Sequence, residues 1–481
     1  MNLRIVRYIT GWVIIFEGAF LLFPLITGLC YGEYEICRIF ALVIGICLLV
    51  GLLLKGIKKG ELGELYIREG FACVSLSWIA LAIFGALPFF LSGEIPAFTD
   101  AVFEVTSGLT TTGASIMTDV ESMSKASMFW RCFTHWIGGM GVFVFIMAIL
   151  PMAGARNINL MKAESPGPSV SKFMPKIKDT AMLLYLIYIV ITIVCIASYK
   201  LSGMTIYESF TLAFGTVGTG GFGIYNDSMA SFTPLQQNLM TFFMIISGIN
   251  YSVYFCILTG NLKEIFSFEE VRYYLLMIAV SVGLITWNIL PLYRSIGVSL
   301  RHSAFQVASI ITTSGFSTTD FNGWPEFSKG LVVLLMVVGA CAGSTGGGLK
   351  VSRVLILMKG VGKEIRSIIH PQHVRKLYLD REPLSDEILR TTNAYAAIYA
   401  IILIFSVMLI AFDGFDLTTN LTAVLATLNN IGPGLNLVGP TQNFGIYSTF
   451  SKCVLIVDML AGRLELFPIL ILFLPSCWRK Y

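Results

Sequence analysis

Residues 312–321 read TTSGFSTTDF, a run of hydroxyl side chains around Gly315 with an acid at its end, set between strongly apolar stretches. In hydrocarbon every unpaired backbone N–H or C=O costs several kcal/mol, so irregular backbone at membrane depth persists only where it faces protein or water. Such a loop is expected to line a wet path. The same arrangement (apolar span, short amphipathic helix, polar loop ending in glycine, second span) occurs four times, as AVFEVTSGLTTTG (101–113), ESFTLAFGTVGTG (208–220), SAFQVASIITTSG (303–315) and LTAVLATLNNIG (421–432). Anchored on the terminal glycine, the loop tetrads are Thr110-Thr111-Thr112-Gly113, Val217-Gly218-Thr219-Gly220, Thr312-Thr313-Ser314-Gly315 and Asn429-Asn430-Ile431-Gly432. Ten residues before these glycines stand Phe103, Phe210, Phe305 and Thr422, so three of the four copies hold a phenylalanine at one register. The glycines lie 107, 95 and 117 residues apart, room for one helix, a half-crossing loop and a second helix.

The chemistry these tetrads suit is the capture of a partly dehydrated monovalent cation. Converging backbone carbonyls replace its water without a fixed charge that would trap it, and four loops supply four carbonyls per ring. Glycine at the outer end admits backbone angles that a Cβ disfavours, and Thr and Ser add hydroxyl oxygens. Each preceding helix has about 10–12 residues, or roughly 15–18 Å at 1.5 Å per residue, and can enter a bilayer only half way. Its C-terminus, pointed at a central cavity, places partial negative charge near a cation there.

A second group of residues lies further along. GACAGSTGGGLK (339–350) places Gly343, Ser344, Thr345, Gly346, Gly347, Gly348 and Lys350 where a span would otherwise run as helix. Glycine costs about 1 kcal/mol against alanine in a helix interior, so this segment is expected to be unwound. A phosphate cradle is the rival reading, but the Walker pattern puts Lys directly after Gly, and here Leu349 intervenes. An interrupted helix also marks the binding site of many alternating-access transporters. In DMLAGRLELFP (458–468), Arg463 is a charge within a span. Such a group is costly and is by default functional or neutralised by a neighbour; Asp458 and Glu465 are the candidate partners.

The elements that must hold these residues follow from composition. The 481 residues are 56% hydrophobic and 13% charged, with a mean hydropathy of +0.77, whereas soluble domains carry about 25% charged residues. This is an integral membrane protein. Ten apolar runs, near 9–30, 37–57, 70–92, 128–152, 180–201, 235–260, 271–293, 330–358, 390–412 and 450–475, approach the ~20 residues that span a bilayer. The first carries Glu17 and Pro24 and reads as a retained helix rather than a cleaved signal. With both termini in the cytoplasm, 24 of the 33 Lys+Arg fall on the inner side and 8 on the outer, the positive-inside pattern. Acids divide evenly, 13 to each side, so the outer rim is left net negative, which suits the approach of cations. The domains expected are a two-helix unit at 1–60 and repeats at 66–153, 180–265, 271–360, with the broken helix, and 390–478.

Ten scattered cysteines include no CxxC, so neither a zinc nor a redox motif is indicated; Cys30 and Cys37 can meet at the outer face. His370 and His373 share an inner loop without a third ligand. The inner loops 153–179 and 360–389 are the longest polar segments. The second carries Lys363, Arg366, Arg375, Lys376 and Arg381, a basic surface for anionic lipid or an acidic partner.

The four M1–pore loop–M2 units, with TTTGAS, TVGTGGFG, TTSGFSTTDF and LNNIGPGLN as their loops, resemble the Trk/Ktr/HKT superfamily of K⁺ transporters over essentially the whole chain. The two extra N-terminal spans resemble the bacterial TrkH/TrkG branch rather than the eight-span KtrB branch. The resemblance implies an all-α membrane fold with four parallel repeats around a pseudo-fourfold pore in one subunit and K⁺ uptake across the bacterial inner membrane. It also implies a homodimer and a cytosolic TrkA-type nucleotide-binding ring as partner. K⁺ is then the transported ion at the filter; no covalent cofactor or nucleic-acid partner is implied, and ATP/ADP or NAD(H) belongs to the partner. The filter glycines carry over onto Gly113, Gly220, Gly315 and Gly432, and the residues before them onto the carbonyl rings. None of the loops reads TVGYG, and the fourth departs furthest, with Asn429-Asn430 and Pro433. The 339–350 stretch resembles the family's intramembrane gating loop, and the family pattern turns Arg463 towards the pore as an electrostatic barrier. Two other classes stay open: a Na⁺- or H⁺-coupled carrier of another small solute that uses the broken helix, and a membrane enzyme, for which no metal cluster or nucleophile–base set appears near any loop.

Overall fold

The structure is a computed structural model, and it describes residues 1–56, 67–141, 177–261, 267–370, 376–380 and 382–478. The inner loop 153–176, the end of the fourth expected span, His373, Arg375 and Arg381 lie outside the described residues. The chain is helical, as the hydropathy requires. An N-terminal unit comprises α1 (Leu3–Phe20), α2 (Leu22–Tyr31) and α3 (Tyr34–Lys55), with α1 packed along α3. The first repeat follows as α4 (Ile67–Ser92), α5 (Phe98–Leu109) and α6 (Lys125–Gly139); the second as α7 (Ile177–Leu201), α8 (Ile206–Gly218), α9 (Pro234–Ser247) and α10 (Tyr251–Leu258). The third has α11 (Glu269–Tyr293), α12 (Ile296–Ile311), α13 (Glu326–Val338) and α14 (Val351–Ile369); the fourth has α15 (Asp386–Ile410), α16 (Leu417–Leu428), α17 (Thr449–Arg463) and α18 (Phe467–Leu472), with α19 (Pro475–Trp478) closing the described chain. A two-residue hairpin, β1 (Tyr378–Leu379) with β2 (Glu382–Pro383), lies in the inner loop before α15.

Local sequence fixes where these helices begin. Thr205 with Glu208 and Thr233 with Gln236 form capping boxes at α8 and α9, Pro234 occupying the first turn of α9. Ser124, Asp416 and Ser448 cap α6, α16 and α17 through their side chains. Each cap satisfies N–H groups that helix geometry leaves without a partner.

Among the described residues six helices are long and apolar enough to cross a bilayer: Leu3–Tyr31, Tyr34–Lys55, Arg68–Ser92, Met182–Leu201, Glu269–Tyr293 and Asp386–Asp413. The remaining four of the ten expected spans are the inner helices of the four repeats; the last three are interrupted within the described residues, and the first ends shortly before the described residues do. Only the third interruption was expected. Helix α6 stops at Gly139, with Gly141 at φ +74°; α9 and α10 meet at 90° across 248–250; α13 gives way at Gly339; α17 ends before Glu465 and Leu466, both at φ +63°. Glycine density announces the third break. The fourth falls at LEL, three good helix formers, and is set by its surroundings instead.

The repeats close into a ring. Each outer helix packs on its own pore helix (α4 on α5, α7 on α8, α11 on α12, α15 on α16), while each inner helix packs on the pore helix of the next repeat: α6 on α8, α9 on α12, α13 on α16 and α17 on α5. The last pair joins the fourth repeat to the first, so a single chain encloses one axis. Cys30 and Cys37 are free thiols, and the Cys37 thiol donates to the Leu25 carbonyl at 3.6 Å instead of forming the disulfide considered from sequence.

Candidate ion pathway and gate

The four pore helices end in one backbone motif. Thr111, Thr219, Thr313 and Asn430 have φ of +55°, +57°, +59° and +55°. The next residue in each loop donates its N–H five residues back, Thr112 to Ser107 (2.8 Å), Gly220 to Gly215 (2.7 Å), Ser314 to Ser309 (2.8 Å) and Ile431 to Ala426 (2.8 Å). This is the left-handed C-terminal turn that ties off a helix's free carbonyls. Left-handed angles disfavour Thr, so four consecutive repeats holding a non-glycine residue there mark a constrained site.

That motif corrects the register of the second loop. Gly220 is the counterpart of Thr112, Ser314 and Ile431, and the counterpart of Gly113, Gly315 and Gly432 is Gly221. The second tetrad is therefore Gly218-Thr219-Gly220-Gly221, and Val217 belongs to the last turn of α8. The shared phenylalanine falls with it. Thr211, not Phe210, is equivalent to Phe103; Thr211 and Phe103 are buried, whereas Phe210 is exposed. The sequence offers two adjacent glycines in TGG, and the Phe match selected the wrong one.

In the corrected register the four glycines form a closed circuit. A Cβ on Gly113 would stand 2.6 Å from Gly221 N, one on Gly221 2.6 Å from Ser314 O, one on Gly315 against Ile431 O, and one on Gly432 2.7 Å from Thr112 O. Each loop abuts the next and the fourth returns to the first, an approach that only glycine allows. Outside the ring lies a cavity of about 160 Å³ lined by all four glycines and by Ser115, Asn226, Ser317 and Asn443. On the outer rim Asn226 donates its side-chain amide to Asp119 at 2.8 Å, which holds that carboxyl below the usual carboxylate range.

Most of the filter hydroxyls are bonded within the scaffold, while Thr111 Oγ1 is buried with no hydrogen-bond partner among the described residues. Thr110 and Thr312 donate back to Thr106 O and Ala308 O at 2.7 Å, and their oxygens also pair with the Thr112 and Ser314 hydroxyls at 2.8 Å. Thr219 donates to Gly218 O, and Asn430 Nδ2 donates to Thr112 Oγ1 at 3.0 Å and to Met459 O at 2.9 Å. Loops 1 and 3 thus match in detail, whereas loops 2 and 4 differ from them and from each other.

Behind the first two loops lies a buried cluster that the sequence reading did not single out. The Glu104 carboxylate accepts from Arg131 Nε (2.6 Å), Ile116 N (2.9 Å) and Ser115 Oγ (2.8 Å), and Arg131 Nη1 donates to Gly223 O (3.0 Å). His135 Nδ1 lies 2.8 Å from Gly108 O while Phe222 N–H donates to Nε2 at 3.2 Å. Those partners require the neutral ring with its proton on Nδ1. The available signal was an Arg and a His within an apolar stretch.

Beneath the ring, residues 339–350 are unwound, as expected, with Gly339, Gly343, Gly348 and Lys350 at positive φ. The loop is stitched to the second repeat by Cys341 N–H to Gly248 O (3.1 Å), Tyr251 N–H to Gly343 O (3.0 Å) and Thr345 Oγ1 to Ser247 O (3.2 Å). It is tied to its own filter loop by Gly347 N–H to Thr313 Oγ1 (2.7 Å). A Cβ on Gly346 would meet Thr312 O at 2.9 Å and one on Gly347 Asn429 O at 2.5 Å. The buried Lys350 ammonium bonds Gly346 O within the loop. Glu270, also unanticipated, clamps both ends by accepting from Ala342 N at 2.6 Å and Ser352 N at 2.9 Å.

The carboxylates considered as partners of Arg463 are engaged elsewhere: Glu465 pairs with Arg353, and Asp458 accepts from Ser406 Oγ at 2.7 Å. Arg463 itself donates to Thr345 O at 2.8 Å, to Gly139 O at 2.8 Å and to Gly138 O. Its guanidinium therefore bonds the third and first repeats, the two ring neighbours of the fourth repeat that carries it.

Comparison with known proteins agrees with this geometry. The profile of the TrkH family, described as cation transport protein, matches residues 37–480. The chain is 37% identical to the Trk system potassium uptake protein TrkH of Salmonella typhimurium and 31% identical to TrkG of Escherichia coli K12, covering 100% of this chain in both and 100% and 99% of the relatives. It superposes on the crystal structure of the potassium transporter TrkH from Vibrio parahaemolyticus with a TM-score of 0.88 and 32% identity, covering 100% of both chains. The chain is a multi-span membrane protein that belongs to the TrkH family of cation transport proteins.

Proposed function

We propose that this protein carries K⁺ across the bacterial inner membrane through the ring of Gly113, Gly221, Gly315 and Gly432. The observation that carries the reading is the closed glycine circuit. It brings the main chain of four loops round one centre, where the carbonyls of Thr112, Gly220, Ser314 and Ile431 and of the residues before them stand in for the ion's water. The names of the relatives, potassium uptake proteins, support K⁺ as the ion. The pore helices point their C-terminal ends at this centre and favour a cation there.

Below the filter the 339–350 loop and Arg463 form the gate. The loop touches two filter loops, and the guanidinium bridges carbonyls of the two repeats that flank its own, so a positive charge beneath the filter opposes the passage of cations until those bonds break. Both termini lie in the cytoplasm, the protein works as a homodimer, and a TrkA-type ring that binds nucleotide acts on the gate from the basic inner loop. A carrier that binds another solute at a single broken helix is the second reading. The closed ring of four filter loops argues for a shared pore instead.

Uptake of ⁸⁶Rb⁺ against ²²Na⁺ into proteoliposomes tests the reading. Rb⁺ uptake competed by K⁺ and not by Na⁺ is expected. Equal uptake of both, or uptake of neither, overturns it.

A further inference from the structure

A cavity of about 390 Å³ opens between α15, α17 and α18, away from the pore. Its walls are almost wholly apolar, with Ile401, Phe405, Phe450, Val457 and Phe473 on its exposed rim. The volume falls in the range of small-molecule sites, roughly 300–1,000 Å³. One carboxylate lines it, that of Asp458, which is 2% exposed. Its Oδ1 accepts from Ser406 Oγ at 2.7 Å, and its Oδ2 is buried with no hydrogen-bond partner among the described residues. Acids within spans normally pair with another group or face water. This one faces an oily pocket with half its hydrogen-bonding capacity unused. Asp458 lies nine residues into α17, or about 14 Å along the axis from its N-terminus.

From this geometry we propose that the α15–α17–α18 cavity binds a membrane-dissolved amphiphile with a primary ammonium head and an unbranched apolar body, the head bonded to Asp458 Oδ2. The chemistry follows from the two parts of the site. Apolar walls take a ligand that already partitions into the bilayer, and an ammonium brings three donors and the opposite charge to an acceptor that lacks a donor. A carboxylate head is repelled, and an alkane leaves Oδ2 unsatisfied. Arg463 ends the same helix five residues on, so occupancy of this pocket bears on the helix that holds the gate.

Cys453 lines the pocket and is exposed, and Cys30 is an exposed thiol elsewhere in the same chain. The test labels the full-length protein in phosphatidylcholine nanodiscs with N-ethylmaleimide and measures the Cys453-to-Cys30 ratio by mass spectrometry, with dodecylamine, dodecanol or dodecanoate added. Dodecylamine is expected to lower the ratio at least about fivefold, with dodecanoate inert and dodecanol weak. Asp458→Asn removes the protection, as does Ala461→Phe, which fills the cavity wall. Equal protection by amine and alcohol, no protection by any probe, or a Cys453 already unreactive beneath a second copy of the chain overturns the proposal. The head-group comparison on the unaltered protein decides even where a variant fails to fold.

Discussion

Arg463 donates to the carbonyl oxygen of Thr345 at 2.8 Å, a bond from the end of an inner helix in the fourth repeat to the middle of the unwound loop in the third. The same guanidinium reaches the carbonyls of Gly138 and Gly139 in the first repeat. The side chain is therefore a crosslink between the two repeats that flank its own.

Removing that charge is expected to speed ion movement. Two unit charges 4 Å apart interact by about 4 kcal/mol at an effective dielectric of 20, and even a third of that is roughly tenfold in rate. Arg463→Ala should raise ⁸⁶Rb⁺ flux in proteoliposomes by about that factor, while Arg463→Lys, which keeps the charge but not the fork of donors, gives a smaller rise. Flux that is unchanged or reduced in Arg463→Ala counts against the gate.

The corrected register makes its own prediction. A methyl on Gly221 would press on Ser314 O, within the ring, whereas Val217 belongs to the last turn of α8. Gly221→Ala should cut the preference for Rb⁺ over Na⁺ by about tenfold, a loss of about 1.4 kcal/mol, and Val217→Ala should leave the preference unaltered. The reverse pattern would restore the register read from sequence.

His135 holds two neighbouring loops by accepting from Phe222 N–H and bonding Gly108 O. His135→Leu fills a similar space and breaks both bonds, at about 1 kcal/mol each or more where the buried partners stay unsatisfied. The expected result is a lower melting temperature together with a weaker Rb⁺-over-Na⁺ preference. A variant that loses stability but keeps full ion preference would reduce His135 to a packing residue.

Glu270 fastens the unwound loop at Ala342 and Ser352. Hydrogen bonds to a charged group contribute about 1.5–3 kcal/mol, so Glu270→Gln should loosen both ends at once. Hydrogen exchange over residues 339–352 should quicken by about tenfold, with faster ⁸⁶Rb⁺ flux alongside it. Exchange at the original rate would show that the loop is held by its other bonds.

Much of this architecture is legible in one sequence because the bilayer leaves few options. Apolar runs near 20 residues give the spans, the four glycine-ended loops give the repeat, and the glycine density of 339–348 gives the unwound segment. Where the reading slipped, the signal was local and the determinant was not. TVGTGG offers three glycines, and only the left-handed turn at Thr219 shows that the last one closes the ring. The break after Arg463 falls on helix-forming residues, and what holds it lies in other repeats: Arg353 on Glu465, and the carbonyls of Thr345 and Gly139 on Arg463. Glu104, Arg131, His135 and Glu270 were visible as polar residues at apolar stretches, but the partners described above lie 11 to 92 residues away. The hydroxyls, read as candidate ion ligands, are largely occupied by bonds to their own helices.

The most direct test of the account is anomalous diffraction from crystals of the transport-competent protein soaked in Rb⁺ or Tl⁺. The account predicts density on the axis encircled by Gly113, Gly221, Gly315 and Gly432 and by the carbonyls of the residues before them. Density absent from that ring and present instead at the unwound 339–350 loop would contradict it and favour a carrier with its site at the broken helix.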